Sequence, residues 1–156
     1  MRILYLFIVM TLVSSCGYQL RGSMNVDGLE NAIIISNGHT SISNMLSQKL
    51  GSTVILQIQD YNTYPVVKIN SISSRKRQLS VNSSGRVDEY VISKSLDYEI
   101  IISENNIVTG TLKASGSYDF NESRMQITSE QEKITNNAID RVLVRKLMQK
   151  LRYNLK

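Results

Sequence analysis

The chain of 156 residues has one proline, one cysteine, one histidine and no tryptophan. Lack of tryptophan argues against an aromatic carbohydrate groove, and scarcity of proline against a proline-rich linker. A lone cysteine, Cys16, and a lone histidine, His39, cannot supply the four ligands of a structural zinc site or a histidine-dependent triad. No Gly-x-Ser-x-Gly turn or pocket-forming glycine loop is present either. What is present is core material: 42% of residues are hydrophobic, 20% are charged, and the net charge is +5. That composition excludes wholesale disorder, and the length suits one domain.

The N-terminus reads as an export signal. Met1-Arg2 carries a positive charge, residues 3–13 are apolar apart from Thr11, and Ser14-Ser15 are small. An apolar run of about 11 residues is far short of the roughly 20 that span a bilayer as a helix. Val13-Ser14-Ser15-Cys16 resembles the lipobox of bacterial lipoproteins, in which cleavage leaves the cysteine at the new N-terminus to carry lipid. Residues 1–15 are then a cleaved signal peptide, residues 16–30 a lipidated tether, and residues 31–156 a single domain. A diacylglycerol and a fatty acid on Cys16 would anchor the chain essentially permanently, because each buried methylene contributes about 0.8 kcal/mol. No cofactor beyond these acyl groups is implied.

In residues 16–22, Tyr18 and Leu20 alternate with Gln19 and Arg21, the pattern of a short extended segment. Beyond residue 31 the periodicity changes several times. Residues 32–35 form a short apolar run closed by Asn37-Gly38, which predicts a buried strand and a turn. Thr40 or Ser41 can cap a helix carrying Ile42, Met45, Leu46 and Leu50 at helical spacing, with Gly51 at its stop. Residues 54–58 alternate as a short strand, and residues 66–81 read as a long one.

The clearest strand pattern follows. Tyr90, Ile92, Leu96, Tyr98, Ile100 and Ile102 share a face broken only by Lys94, while Ser93, Ser95, Asp97 and Glu99 take the other. After a turn at residues 104–106 the chain returns with Val108, Leu112, Ala114, Tyr118 and Phe120 inward and Thr109, Thr111, Lys113, Ser115 and Ser117 outward. Ser129 and Glu132 have capping-box spacing, and Ile134, Ala138, Val142, Leu143, Leu147, Leu151 and Leu155 then mark the apolar stripe of a helix of about 25 residues. The expected architecture is α+β, with two helices packed on one face of a mixed, mostly antiparallel four- to five-stranded sheet.

Cys16-Gly17-Tyr18-Gln19-Leu20-Arg21-Gly22 resembles the start of mature LPS-assembly lipoproteins, the LptE family. The order of elements is also similar to that family's, as is the stretch from Ser80 to Ile92, where a glycine-containing polar turn precedes Glu89-Tyr90 and a long strand. The resemblance implies a non-catalytic outer-membrane lipoprotein that faces the periplasm from the inner leaflet. It would plug the β-barrel LptD, assist its assembly and bind lipopolysaccharide. Gly17, where an aspartate would retain a lipoprotein in the inner membrane, agrees with outer-membrane delivery.

Arg75, Lys76, Arg77 and Arg86 are four cations with no acid among residues 75–86. They can form an anion site for the phosphates of lipopolysaccharide, since Arg forks and Lys point charges both suit phosphate; equally, they can guard a strand edge against aggregation. The family's basic positions do not transfer here, because Asn82, Ser83 and Ser84 are uncharged. Arg141, Arg145, Lys146, Lys150, Arg152 and Lys156 read as the solvated face of the last helix, and the export signal argues against nucleic acid. Asp88-Glu89 and the pair Asp97 and Glu99 could be cast as paired catalytic carboxylates, but without a nearby His, surface charge is the better account. The competing expectation is therefore another envelope lipoprotein, a structural adaptor or a carboxylate-dependent hydrolase. A Ser/Thr-rich outer sheet face suits either solvent or a water-filled barrel lumen.

Overall fold

The computed structural model describes residues 32–36, 41–51, 54–55 and 65–155. The signal segment, Cys16 and the tether lie outside these residues, as do the Asn37-Gly38 turn, His39, Thr40, residues 56–58 of the expected short strand, and Lys156.

Strand β1 (Ile33–Ser36) is followed by helix α1 (Ser41–Leu50) and strand β2 (Val54–Ile55). Three long strands come next, β3 (Val66–Val81), β4 (Val87–Ser103) and β5 (Asn106–Asp119), then a 3-10 turn (Glu122–Arg124) and helix α2 (Met125–Asn154). They make one sheet in the order β2-β1-β3-β4-β5. β1 runs parallel to β2 and β3, and the two long pairs are antiparallel. Both helices contribute to one apolar cluster on one face of the sheet, so the fold is the expected α+β arrangement with five strands.

Alternation in β4 builds the core as predicted. Ile92, Leu96, Tyr98 and Ile100 are buried under the helices, while Ser93, Ser95, Asp97 and Glu99 share the uncovered face. Lys94, the apparent break in the apolar face, is matched by a buried acid: its Nζ donates to Asp140 Oδ1 of α2 at 2.7 Å, with the two side chains 13% and 7% exposed. A lone charge there would be costly, and the pair makes it tolerable. Opposite, Ile35, Val66 and Ile101 form a second, smaller cluster with Ile33 on the other face.

Glycine at position 116 permits close packing of α2 on β5, since a Cβ there would lie 3.0 Å from Thr135 Cγ2 and 3.5 Å from Ile139 Cγ1. Gly51 and Gly85 have left-handed φ values of 63° and 74°. The first ends α1, as the sequence predicts. The second closes the loop from β3 to β4, where Asn82 Oδ1 accepts from the backbone N–H groups of Ser84 and Arg86, and Gly85 N donates to Asn82 O at 2.9 Å. At the other hairpin Ser103 already pairs with Asn106, so the turn is residues 104–105 rather than 104–106. Neither residue there has positive φ, which excludes the primed turns that match strand twist, and a register irregularity before Ser103 accommodates the difference.

Helix α2 differs from expectation in two respects. It begins at Met125 and runs 30 residues, so Ser129 and Glu132 lie inside it, with the Ser129 hydroxyl donating to Gln126 O. Its approach is organised upstream instead: Asn121 Oδ1 accepts from Ser123 N, and Thr128 Oγ1 donates to Asn121 O. Asn and Thr satisfy the entry before the capping-box spacing comes into play. The stripe also differs. The buried residues are Thr128, Ile139, Asp140, Leu143, Val144, Leu147, Met148 and Leu151, whereas Ile134 and Ala138 are exposed. An apolar stripe drawn from the sequence omits Thr128, near the start of this helix, and Asp140, at its middle, which are nonetheless buried.

Candidate functional site

The long edge of the sheet holds the predicted basic residues, and strand alternation divides them. β3 pairs with β4 as Arg75↔Ser93, Lys76↔Ile92 and Arg77↔Val91, so Arg75 and Arg77 share the uncovered face with Ser93 while Lys76 points under α2 with Ile92. The sequence reading of four cations in one cluster is thus replaced by three separate environments, because neighbouring strand residues project to opposite faces.

Lys76 is a structural cation. Its Nζ donates to Glu132 Oε2 at 2.7 Å and stands 4.6 Å from the Tyr90 ring centroid and 5.3 Å from that of Tyr118. Tyr118 OH donates to the same carboxylate oxygen at 2.7 Å, and Tyr90 stacks on Tyr118 and meets Phe120 edge-on. Burial works to lower the Lys76 pKa, but its bonds with Glu132 and Tyr118 outweigh this and hold it above the ordinary lysine value. Hydrogen bonds from Lys76 and Tyr118 hold Glu132 below the usual carboxylate value, and burial raises Tyr118 with help from Glu132. The group is a clasp that ties the first half of α2 to the sheet.

Arg86 sits on the loop with its Nη1 3.4 Å from Glu122 Oε2, both groups well exposed. Arg75 and Arg77 have no acidic partner among the described residues. On the same face as Arg75, across β4, lies a further cation outside the predicted basic group: Lys113. The rows Ser73–Ser95–Lys113 and Arg75–Ser93–Ser115 adjoin across three strands. They line an open basin of about 600 Å³. Lys146 and Lys94 line it too, the latter already paired with Asp140, so Arg75, Lys113 and Lys146 among hydroxyls can hold a phosphate or carboxylate together with neighbouring sugar hydroxyls. Aligning β5 against β4 in the sequence would have found Lys113; counting charges along the chain does not.

The candidate carboxylates are occupied by other bonds. Asp97 accepts from Ser71 Oγ and Thr111 Oγ1, each at 2.6 Å, and these bonds hold its pKa below the ordinary value. Glu99 lies 3.8 Å from Lys68 Nζ, and Glu89 accepts from Ser80 Oγ at 2.9 Å. Among the described residues no three His, Cys, Asp or Glu side chains gather as metal ligands, and no helix is long and apolar enough to cross a membrane.

Neither a protein-family model nor a curated protein matches this chain. Solved structures do. Rare lipoprotein B from Shewanella oneidensis superposes with a TM-score of 0.65 at 13% identity, covering 78% of this chain and 93% of that one. A minor lipoprotein from Acinetobacter baumannii gives 0.62 at 16% identity over 81% and 92% of the two chains. Lipoprotein B from Nitrosomonas europaea gives 0.62 at 15% identity over 86% and 90%. The chain has the fold of these bacterial lipoproteins. At such identities the likeness is one of architecture, and it extends over nearly the whole of each lipoprotein.

Proposed function

We propose that the chain is an outer-membrane lipoprotein of the LPS-assembly type, anchored through Cys16 to the inner leaflet and seated in an LptD-like β-barrel as its plug. The observation that carries this reading is the coincidence of two independent signals. Residues 13–22 resemble the lipobox and the heptapeptide that follows it, and the described residues adopt an architecture found in solved bacterial lipoproteins. Physical features of the domain support it. Beyond the small Ile35–Val66–Ile101 cluster, the uncovered sheet face is mostly Ser, Thr and charged side chains, which suits a hydrated lumen better than hydrocarbon. Lipopolysaccharide would meet this domain through Arg75, Arg77 and Lys113 on the uncovered face, while Lys76 and Arg86 are held by Glu132 and Glu122.

A hydrolase gains little support. Asp97 is held as a carboxylate by two hydroxyl donors, whereas a general acid at neutral pH needs a raised pKa. The deciding experiment is purification of the tagged, lipidated protein from detergent-solubilised outer membranes. A large barrel recovered in near-equal amount supports the reading. Recovery without a barrel overturns it and leaves an envelope lipoprotein of another kind.

A further inference from the structure

The two outer strands of the long hairpins end differently. On β5, Lys146 of α2 reaches the sheet edge and donates to Lys113 O at 2.7 Å, so a helix side chain engages one carbonyl in the middle of that edge. On β3, β1 covers only Val66 to Ile69, and no strand lies beside the rest of β3 among the described residues. From Ser71 to Gln78 this strand keeps unbroken register with β4, with irregularities confined to either side. Eight regular residues with no described strand beside them are a template for another strand.

Charge selects what can lie there. Arg75 and Arg77 project from this stretch to the uncovered face, and their cross-strand neighbours are Ser93 and Val91, which are neutral. Lys76, on the other face, is already paired with Glu132. A second copy of the chain, aligned antiparallel on the same edge, would bring like cations together, which is unfavourable in directly opposed strand pairs. We propose that Ser71–Gln78 is a strand-pairing site for an extended acidic segment of a partner protein, with carboxylates two residues apart facing Arg75 and Arg77. Backbone hydrogen bonds would supply attraction along the edge, and the two arginines would set sign and register. This inference stands apart from the barrel reading, because any partner with such a segment meets its terms.

The test uses the full mature chain in detergent and a blocked eight-residue peptide that alternates glutamate with valine. Saturating peptide should slow amide hydrogen exchange across Ser71–Gln78 and leave β5 unaffected. The same peptide N-methylated at alternate residues, and a version with lysine replacing glutamate, should both fail to protect the edge. Arg75→Gln with Arg77→Gln should weaken the acidic peptide by about fivefold to tenfold, as loss of two exposed ion pairs would. Equal binding by the N-methylated or lysine peptide overturns the proposal, as does absence of protection at millimolar peptide. Concentration-dependent protection without peptide overturns it in favour of a second copy.

Discussion

At the end of the sheet where β1 and α1 lie, the helix face is filled by Ile34, Ile42, Leu46, Val67, Ile100, Leu147 and Leu151, all essentially inaccessible to water. At the opposite end the same face carries Ser74, Lys76 and Gln78 on β3, Lys94 on β4, and Tyr90, Tyr118 and Phe120. There α2 is held through Lys94–Asp140 and the Lys76–Glu132–Tyr118 clasp. The difference separates two tasks. Burial of apolar side chains, each contributing about 1.5–3 kcal/mol, makes the first end the stable body of the domain. Ion pairs and hydroxyl bonds at the second end fix where the helix sits while contributing less, so the far end can carry charged surfaces without threatening the fold.

Breaking the apolar end should have the largest effect. Leu147→Asp places a charge without a partner in the tightest part of the core, and a loss of about 4 kcal/mol or more is expected. Urea denaturation should show either an unfolded chain or a midpoint shifted by most of the domain's stability. An unchanged midpoint would mean that α2 does not pack on the sheet through this residue.

The Lys94–Asp140 pair tests whether charge at the second end holds the helix or merely accompanies it. Asp140→Leu alone should cost about 3–5 kcal/mol, because it strands a buried ammonium. Adding Lys94→Met should recover most of that loss, since an apolar pair of similar volume replaces both desolvated groups. A double-mutant cycle with no recovery would show that the pair carries a specific packing role instead.

The clasp is smaller and sensitive to pH. Glu132 has a folded pKa below its ordinary 4.5, so its contribution is present above that value and disappears as pH falls through the folded pKa. Lys76 has its pKa raised above 10.5, so its contribution is complete below that value and is lost as pH rises through the higher folded pKa. Glu132→Gln should therefore cost about 0.5–1 kcal/mol near neutral pH, a modest figure because both side chains remain partly exposed. The variant and parent should converge in acid. Hydrogen exchange should accelerate over the first turns of α2 around Thr128 and leave Leu143–Leu151 unchanged; acceleration spread evenly along the helix would contradict a local clasp.

The contrast between the ends also explains which parts of the molecule were legible in the sequence. Alternation in β4 and β5 predicts which residues face the helices, because one face is covered along the body of each strand. In β3 that logic breaks at a bulge: Val67 and Ile69 face the helices before it, and Ile72, Ser74 and Lys76 face them after it. No composition signal marks the extra residue, so the side on which Arg75, Lys76 and Arg77 lie depends on β4 and not on β3 alone. The same limit applies to α2. From Leu143 onward the buried side is apolar and agrees with the sequence pattern at Leu143, Leu147 and Leu151, but before that the helix buries Thr128 and Asp140, which hydrophobic periodicity reads as surface.

The smallest effect on stability is expected on the uncovered face, where it also separates fold from function most cleanly. Arg75 and Lys113 flank the hydroxyl-lined basin from adjoining cross-strand rows, and neither belongs to an ion pair among the described residues. Replacing both with Gln should leave the urea midpoint within about 0.5 kcal/mol of the parent, as is usual for surface substitutions away from packed features. If the basin holds lipopolysaccharide phosphates, binding to immobilised lipopolysaccharide should fall about tenfold, since charge-assisted contacts contribute about 1.5–3 kcal/mol each before solvent screening. Raising salt should weaken the parent and hardly alter the variant, because screening acts only on charges that remain. Equal retention of parent and variant at low salt would remove the basin as a headgroup site. The barrel reading would survive that result, because filling a lumen depends on shape and backbone contacts along the whole domain rather than on two cations.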